Sequence, residues 1–451
     1  MLRLSRSKEV FERNRRFIPG GASSLNRVVP PEIAFKKALG SRIWDVDGHE
    51  YIDYHAAFGP HLLGYGCAEV MAAVRSVLDE SVELVGTGAS ELEGEVAGLL
   101  CQNIPFLEKV AFLNTGSEAT AQAIRLARSF TGRNHLIVMQ GGYNGWHNDV
   151  ACNLLTPLSE VGPRRIGDEY EFIPISAGIP PEHRSLVHVV NYNDLESVEA
   201  VCRRYPVGAL ITEPVLQNIG VVKPLPGYLA GLRDLARGHG FLLIFDEVKT
   251  GFRNGFGGIA TAAGVEPDLV VYGKAVASGY PLAVLGGRDK VMRLFEPAAQ
   301  KARVLLAGTY NAHPVVMAAA SATLKLLLDP ERAIYSHLEA LSDEFEVGLN
   351  EALGELGRPV TVTRMASAFG YYFMDHEPRD WHDILEHHDM ASDEALRRRL
   401  VERGIYWFPL ATKQISISAA HTRDDIRVTL ERVAEVVEGM TREAVAPSPH
   451  P

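Results

Sequence analysis

Cysteine is scarce in this chain: four among 451 residues, Cys67, Cys101, Cys152 and Cys202, with no CxxC pair. That argues against a disulfide framework and a zinc ribbon and fits a reducing, cytoplasmic setting. Positive charge is also short. With 45 Lys and Arg against 56 Asp and Glu the net charge is −11, so the chain has no basic balance for nucleic-acid phosphates. No apolar run reaches the roughly 18 residues that a membrane span requires. The start MLRLSRSKEVFERNRR lacks the hydrophobic core of a secretory signal, and its Glu9 and Glu12 speak against an organelle presequence. No internal repeat is visible, and no GxxxxGK[ST] loop occurs. What is present, 46% hydrophobic residues with 41 Gly and 25 Pro, is ordinary globular material for a large core. Two domains, or one with a satellite, and a small-molecule substrate are expected.

Between residues 85 and 325, apolar runs alternate with helical stretches: LIVM at 136–139, LVHVV at 186–190, VGALIT at 207–212, FLLIF at 241–245 and LVVY at 269–272. This pattern predicts an α/β fold, a largely parallel sheet covered by helices on both faces. From about residue 359, PVTVTR, FGYYFM, IYWF and QISIS are shorter and alternate more, which predicts a smaller α+β domain. The expected partition is an N-terminal segment, 1–80, packing with the small domain, a large domain over 81–325 and the small domain over 326–451. The tail AVAPSPHP reads as a frayed end.

Ligands of open α/β sheets bind at the carboxyl ends of strands, so the residues after each apolar run matter. DLVVYGKAVASG places Lys274 just past a strand. A lysine there either points into water or is buried, and burial lowers its pKa toward the neutral amine that condenses with an aldehyde. FLNTGSEATAQ gives Thr115 and Glu118 capping-box spacing, with Gly116 and Ser117 at a helix start suited to a phosphate. FLLIFDEVKTGFR ends its run in Asp246 and Glu247. A magnesium-binding carboxylate pair would need the missing phosphate loop; the other readings are a cap on the next turn, or an aspartate set against a heterocyclic nitrogen.

Together these are the parts for pyridoxal phosphate. LNTGSEAT, GGYNGWHND, ITEPVLQN, IFDEVKTGFR, VVYGKAVASGYPLAVLGG and AGTYNAHPVVMAAA, in that order, resemble the class III pyridoxal-phosphate aminotransferases, and within them most of all the glutamate-1-semialdehyde 2,1-aminomutases. The likeness runs from PGGASSLNR at 19–27 to SISAAHTRDDI at 416–426. It implies PLP fold type I, with pyridoxal 5'-phosphate as cofactor and Lys274, Asp246 and Tyr143 as the catalytic residues. Lys274 would bond the cofactor aldehyde and shuttle a proton. Asp246 would hold the ring nitrogen protonated, with Val248 on one ring face and Tyr143 on the other. Gly116 and Ser117 would cup the phosphate and Asn218 support the cofactor hydroxyl. Thr309 would reach the phosphate of the other subunit, which implies a homodimer with shared sites. Arg27, with Ser24 beside it, would bind the substrate carboxylate.

Departures from the aminomutase pattern bear on the reaction. Lys413, in FPLATKQISISAAH, stands where that pattern has an acidic residue facing the migrating amino group; it either repels a cationic intermediate, meets a second carboxylate or lies in solvent. Phe58 replaces a tryptophan before GP, Asn144 replaces the histidine after the ring-stacking tyrosine, and the gating loop from Cys152 to Pro181 is altered. The expectation is an aminotransferase that moves an amino group from a carboxylate-bearing donor to an oxo acid by a ping-pong mechanism. The alternatives are aminomutase-type internal transfer, an amino-acid racemase or epimerase, and a non-catalytic regulator. In WHDILEHHDM, residues 381–390, His382 and Glu386 have helical metal-ligand spacing, but a solvated polar segment is expected and no metal.

Overall fold

The computed structural model describes residues 2–80 and 85–445; part of the proline-containing tail and the expected boundary at residue 81 lie outside them. Two compact units divide the chain. One comprises residues 1–67, 336–377 and 387–451, the other residues 68–335 and 378–386.

The larger unit is built on a seven-stranded sheet. From one edge to the other run Lys109–Leu113, Ala283–Gly287, Leu269–Gly273, Leu242–Glu247, Val207–Thr212, His135–Met139 and Val187–Val190. Five of these are the apolar runs of the sequence, and they pair in parallel. Ala283–Gly287 runs antiparallel to both its neighbours. Continuous burial along Val207–Thr212, Leu242–Glu247 and Leu269–Gly273 explains their unbroken hydrophobicity, since neither face of a covered parallel sheet meets water. Helix Gly116–Thr131 starts with a complete Thr115–Glu118 capping box and packs Ala119, Ala123, Ile124 and Ala127 into the core.

The smaller unit holds a four-stranded sheet, Phe35–Leu39, Arg42–Asp45, Glu50–Asp53 and Ile405–Tyr406, and a three-stranded one, Thr361–Met365, Ala368–Tyr372 and Ile415–Ser416. A buried ion pair organises its last third. Arg397 Nε donates to Asp393 Oδ1 at 2.6 Å, and Asp393 Oδ2 accepts from Thr412 N at 2.6 Å. The same guanidinium donates to the carbonyls of Lys413 at 2.7 Å and Phe408 at 3.3 Å. The segment Phe408–Lys413 thus hangs from one charged pair.

Segment 378–386 departs from expectation. It belongs to the larger unit, and Asp380, Trp381, His382 and Asp383 are buried rather than solvated. Asp380 pairs with both terminal nitrogens of Arg164 at 2.7 and 2.9 Å, Trp381 Nε1 donates to Thr156 O at 2.9 Å, and His382 Nε2 lies 3.0 Å from Gly162 O. These contacts pin the loop that follows Cys152.

Candidate active site

Lys274 follows strand Leu269–Gly273 directly, with φ of 48° at the start of a tight turn. A left-handed lysine is uncommon, and the turn takes its side chain off the course of the strand. The residue is half-buried. Burial lowers its amine from the usual lysine value, opposed by the charges of Asp246 and Glu213.

Asp246 is the penultimate residue of the neighbouring strand and is 3% exposed. Its Oδ2 accepts from Asn144 Nδ2 at 2.9 Å and its Oδ1 from Val248 N at 3.0 Å. Burial pushes its carboxyl up to about 7, with the charge of Glu213 acting the same way and the bond from Asn144 opposing. Asn144 supplies a donor that carries no charge, so Asp246 gains a hydrogen bond without an ion pair.

Glu213 was given no role by the sequence. It is 1% exposed and ties two predicted residues together: its Oε1 accepts from Tyr143 N at 2.9 Å, and its Oε2 from Asn218 Nδ2 at 2.9 Å and Gln217 N at 3.0 Å. The available signal was the carboxylate directly after the apolar run in ITEPVLQN. Tyr143 is partly buried, and burial followed by the charge of Asp246 raises its phenol above the usual tyrosine value.

At the helix start the capping box consumes Glu118 N, Asn114 N and Thr115 N, leaving Gly116 and Ser117 as first-turn amides directed at the helix N-terminus. A Cβ on Gly116 would lie 3.0 Å from Val248, so glycine lets Val248 close against the cup. Gly145 has φ of +123°, and a Cβ there would lie 2.9 Å from Ser117 Oγ. Gly145→Ala is therefore expected to displace Ser117 and weaken cofactor phosphate binding by on the order of 10- to 100-fold, a loss of one or two hydrogen bonds to a charged group. Equilibrium dialysis of the cofactor checks this; unchanged affinity would remove Ser117 from the cup.

The smaller unit carries Ser24, Arg27 and Lys413. Ser24 is half-buried, Arg27 exposed in the turn Leu25–Arg27, and both line a cavity of that unit. Lys413 is half-buried in the suspended segment. Thr309, in the larger unit, is exposed.

A family model described as aminotransferase class-III matches residues 24–437. This chain belongs to the class III aminotransferases. It is 36% identical over 444 residues, 97% of this chain and 99% of the relative, to a glutamate-1-semialdehyde 2,1-aminomutase of Syntrophomonas wolfei. Among solved structures it resembles an omega-transaminase from Sphaerobacter thermophilus, with a TM-score of 0.87 and 27% identity over 97% of this chain and 98% of that one. It also resembles a glutamate-1-semialdehyde aminomutase from Pseudomonas aeruginosa in complex with PMP, with a TM-score of 0.84 and 26% identity over 96% and 94%.

The fold is PLP fold type I and the class III cofactor is pyridoxal 5'-phosphate. The local chemistry of this chain fits it: a desolvated primary amine, a buried carboxyl raised toward neutrality and a helix N-terminus brought together in one unit. When bound, the cofactor supplies an electron sink for the carbon bearing the amino group. Lys274 Nζ would hold its aldehyde carbon and then carry the proton, while Asp246 would keep a proton on the ring nitrogen. Gly116 and Ser117 would take the phosphate. Val248 and Tyr143 would pack the ring, with Asn218 set toward the hydroxyl by Glu213.

Proposed function

We propose that this enzyme moves an amino group on a carboxylate-bearing amine, with Lys274, Asp246 and Tyr143 as its catalytic residues and Arg27 and Ser24 on the substrate carboxylate. The observation that carries this reading is the placing of Lys274 directly after one central strand and of the buried carboxyl of Asp246 near the end of the parallel strand beside it, an amine and an acid at the carboxyl ends of adjacent strands. Two outcomes are open to that chemistry. Internal transfer of the aminomutase kind is the reading that the curated relatives' names support. Transamination by a ping-pong mechanism, from an amino donor to an oxo acid, is the second reading, and Lys413 favours it. A lysine in place of an acid disfavours a substrate-derived dication, by an amount that grows as water is excluded.

The two are separated by adding single amino donors to the holoenzyme without any oxo acid and analysing what leaves. Conversion of glutamate-1-semialdehyde to 5-aminolevulinate without lasting loss of nitrogen establishes the mutase; release of an oxo product, leaving the amino group on the enzyme, establishes the transaminase. If Lys413 governs the choice, Lys413→Glu should raise the ratio of retained to released nitrogen by roughly tenfold or more. An unchanged ratio would place Lys413 outside the reaction.

We read the protein as a homodimer in which Thr309 of each protomer serves the other's phosphate. The exposure of Thr309 beside Tyr310, itself 62% exposed, supports this, as large exposed apolar side chains are favourably covered by a partner. The four cysteines form no disulfide, which suits a cytoplasmic setting, and no helix among the described residues is long and apolar enough to cross a membrane.

A further inference from the structure

We infer that the substrate carries a flat apolar group, an aryl ring or its equal in bulk, within a few bonds of its carboxylate. This rests on the reading that Arg27 takes that carboxylate, and it adds what fills the rest of the pocket. In the smaller unit, Arg27 and Ser24 line a cavity of about 850 Å³, within the size range of small-molecule sites. His55, Phe58, Tyr406 and Phe408 contribute aromatic rings to its walls. The ring of His55 stacks on Phe408 at 4.4 Å, Phe58 meets His55 edge-on at 4.1 Å, and Phe58 tilts against Phe408 at 5.2 Å. Such surfaces reward a flat partner through offset and edge-to-face contact.

The charges of the cavity narrow the class further. Arg27, Lys36 and Lys37 supply the cationic side, and Asp53 is the one acid among its described lining residues. Asp53 is already engaged: its oxygens accept from His55 N at 2.9 Å, Ala56 N at 3.0 Å and Tyr65 Oη at 2.7 Å. A substrate with a second ammonium would therefore be desolvated here beside a carboxylate that three donors already hold. A straight five-carbon monocarboxylate would satisfy Arg27 and leave the half-buried rings of Phe58 and His55 largely uncovered, those of Phe408 and Tyr406 being already buried.

The backbone supports a purpose for Phe58. Ala56, Ala57 and Phe58 have φ of 48°, 52° and 68°, three successive non-glycine residues in the left-handed region. Such strain persists where the surroundings over-determine it, commonly where a side chain must be aimed. Here the run carries Phe58 to the cavity wall.

Calorimetric titration of the holoenzyme with 3-phenylpropionate, pentanoate and glutarate tests this without requiring turnover. The aryl acid should bind roughly tenfold tighter than either of the others, and Phe58→Ala should remove most of that preference. Phe58→Leu, which keeps bulk and loses the flat ring, should cut the preference at least roughly threefold and serves if the alanine variant does not fold. Equal or tighter binding of pentanoate or glutarate, or a preference that survives both Phe58 variants, would overturn the inference. Arg27→Gln should weaken all three acids alike. If it leaves them unchanged while the aryl preference persists, the carboxylate reading of Arg27 fails and the aromatic pocket stands.

Discussion

Lys274→Ala is expected to reduce turnover by at least about 10⁴-fold, because one nitrogen performs two tasks that no neighbour can take over. Nζ would hold the cofactor aldehyde in the resting enzyme and would carry the proton during turnover. The other residues proposed to hold the cofactor lie on other elements: Gly116 and Ser117 on their helix, Asp246 on its strand and Asn218 set by Glu213. Cofactor should therefore still be recovered with the variant, extractable without reduction or hydrolysis of a covalent bond, and its absorbance should be that of the free aldehyde. Mass spectrometry after borohydride treatment reads the covalent link directly. Turnover near the wild-type value, or a reduced adduct at another lysine, would refute the assignment.

Asp246→Asn should cost roughly 10²- to 10⁴-fold in turnover, since it keeps the side-chain shape and removes the charge that would retain a proton on the ring nitrogen. Its effect on the apoprotein has a definite sign. The carboxyl titrates at about 7 when folded, against an ordinary value of 3.8. Between those values the folded chain keeps a proton that the unfolded chain has released. The stability that this group contributes is fully present below about pH 4 and is lost as pH rises through about 7, by on the order of a few kcal/mol. Urea unfolding of the apoprotein at pH 5 and pH 8 should show a larger fall for the wild type than for Asp246→Asn. Glu247, also buried and pushed up to about 7, keeps part of the slope in both. Equal slopes would mean that Asp246 does not titrate in this window.

The strands behind the site were legible because a covered parallel sheet writes its burial into consecutive residues. Leu269 to Tyr272 and Leu242 to Phe245 read as strands, and the chemistry follows at Lys274 and Asp246. The capping box was legible for a similar reason: Thr115 and Glu118 interact three residues apart. Glu213 stayed hidden because its partner Tyr143 lies 70 residues away, on a segment that no local pattern links to it, although Asn218 is only 5 residues on. The segment from Asp380 to Asp383 looked solvated because Asp380, Trp381 Nε1 and His382 Nε2 find their partners in Arg164, Thr156 O and Gly162 O, more than 200 residues earlier. Composition registers polarity but not where a partner lies. The same limit moved the unit boundaries: the larger unit starts at Ala68, before the expected residue 81, and takes back residues 378–386.

Arg397 grips Phe408 and Lys413 by their carbonyl oxygens, and Asp393 holds Thr412 by its amide. Every residue type has that carbonyl, and every type except proline has that amide. The path of the segment is thus set independently of the side chains it displays. An aromatic ring at 408 and a cation at 413 can each be exchanged while the backbone keeps its course, so the side chains displayed here can change one at a time without dismantling the segment that presents them.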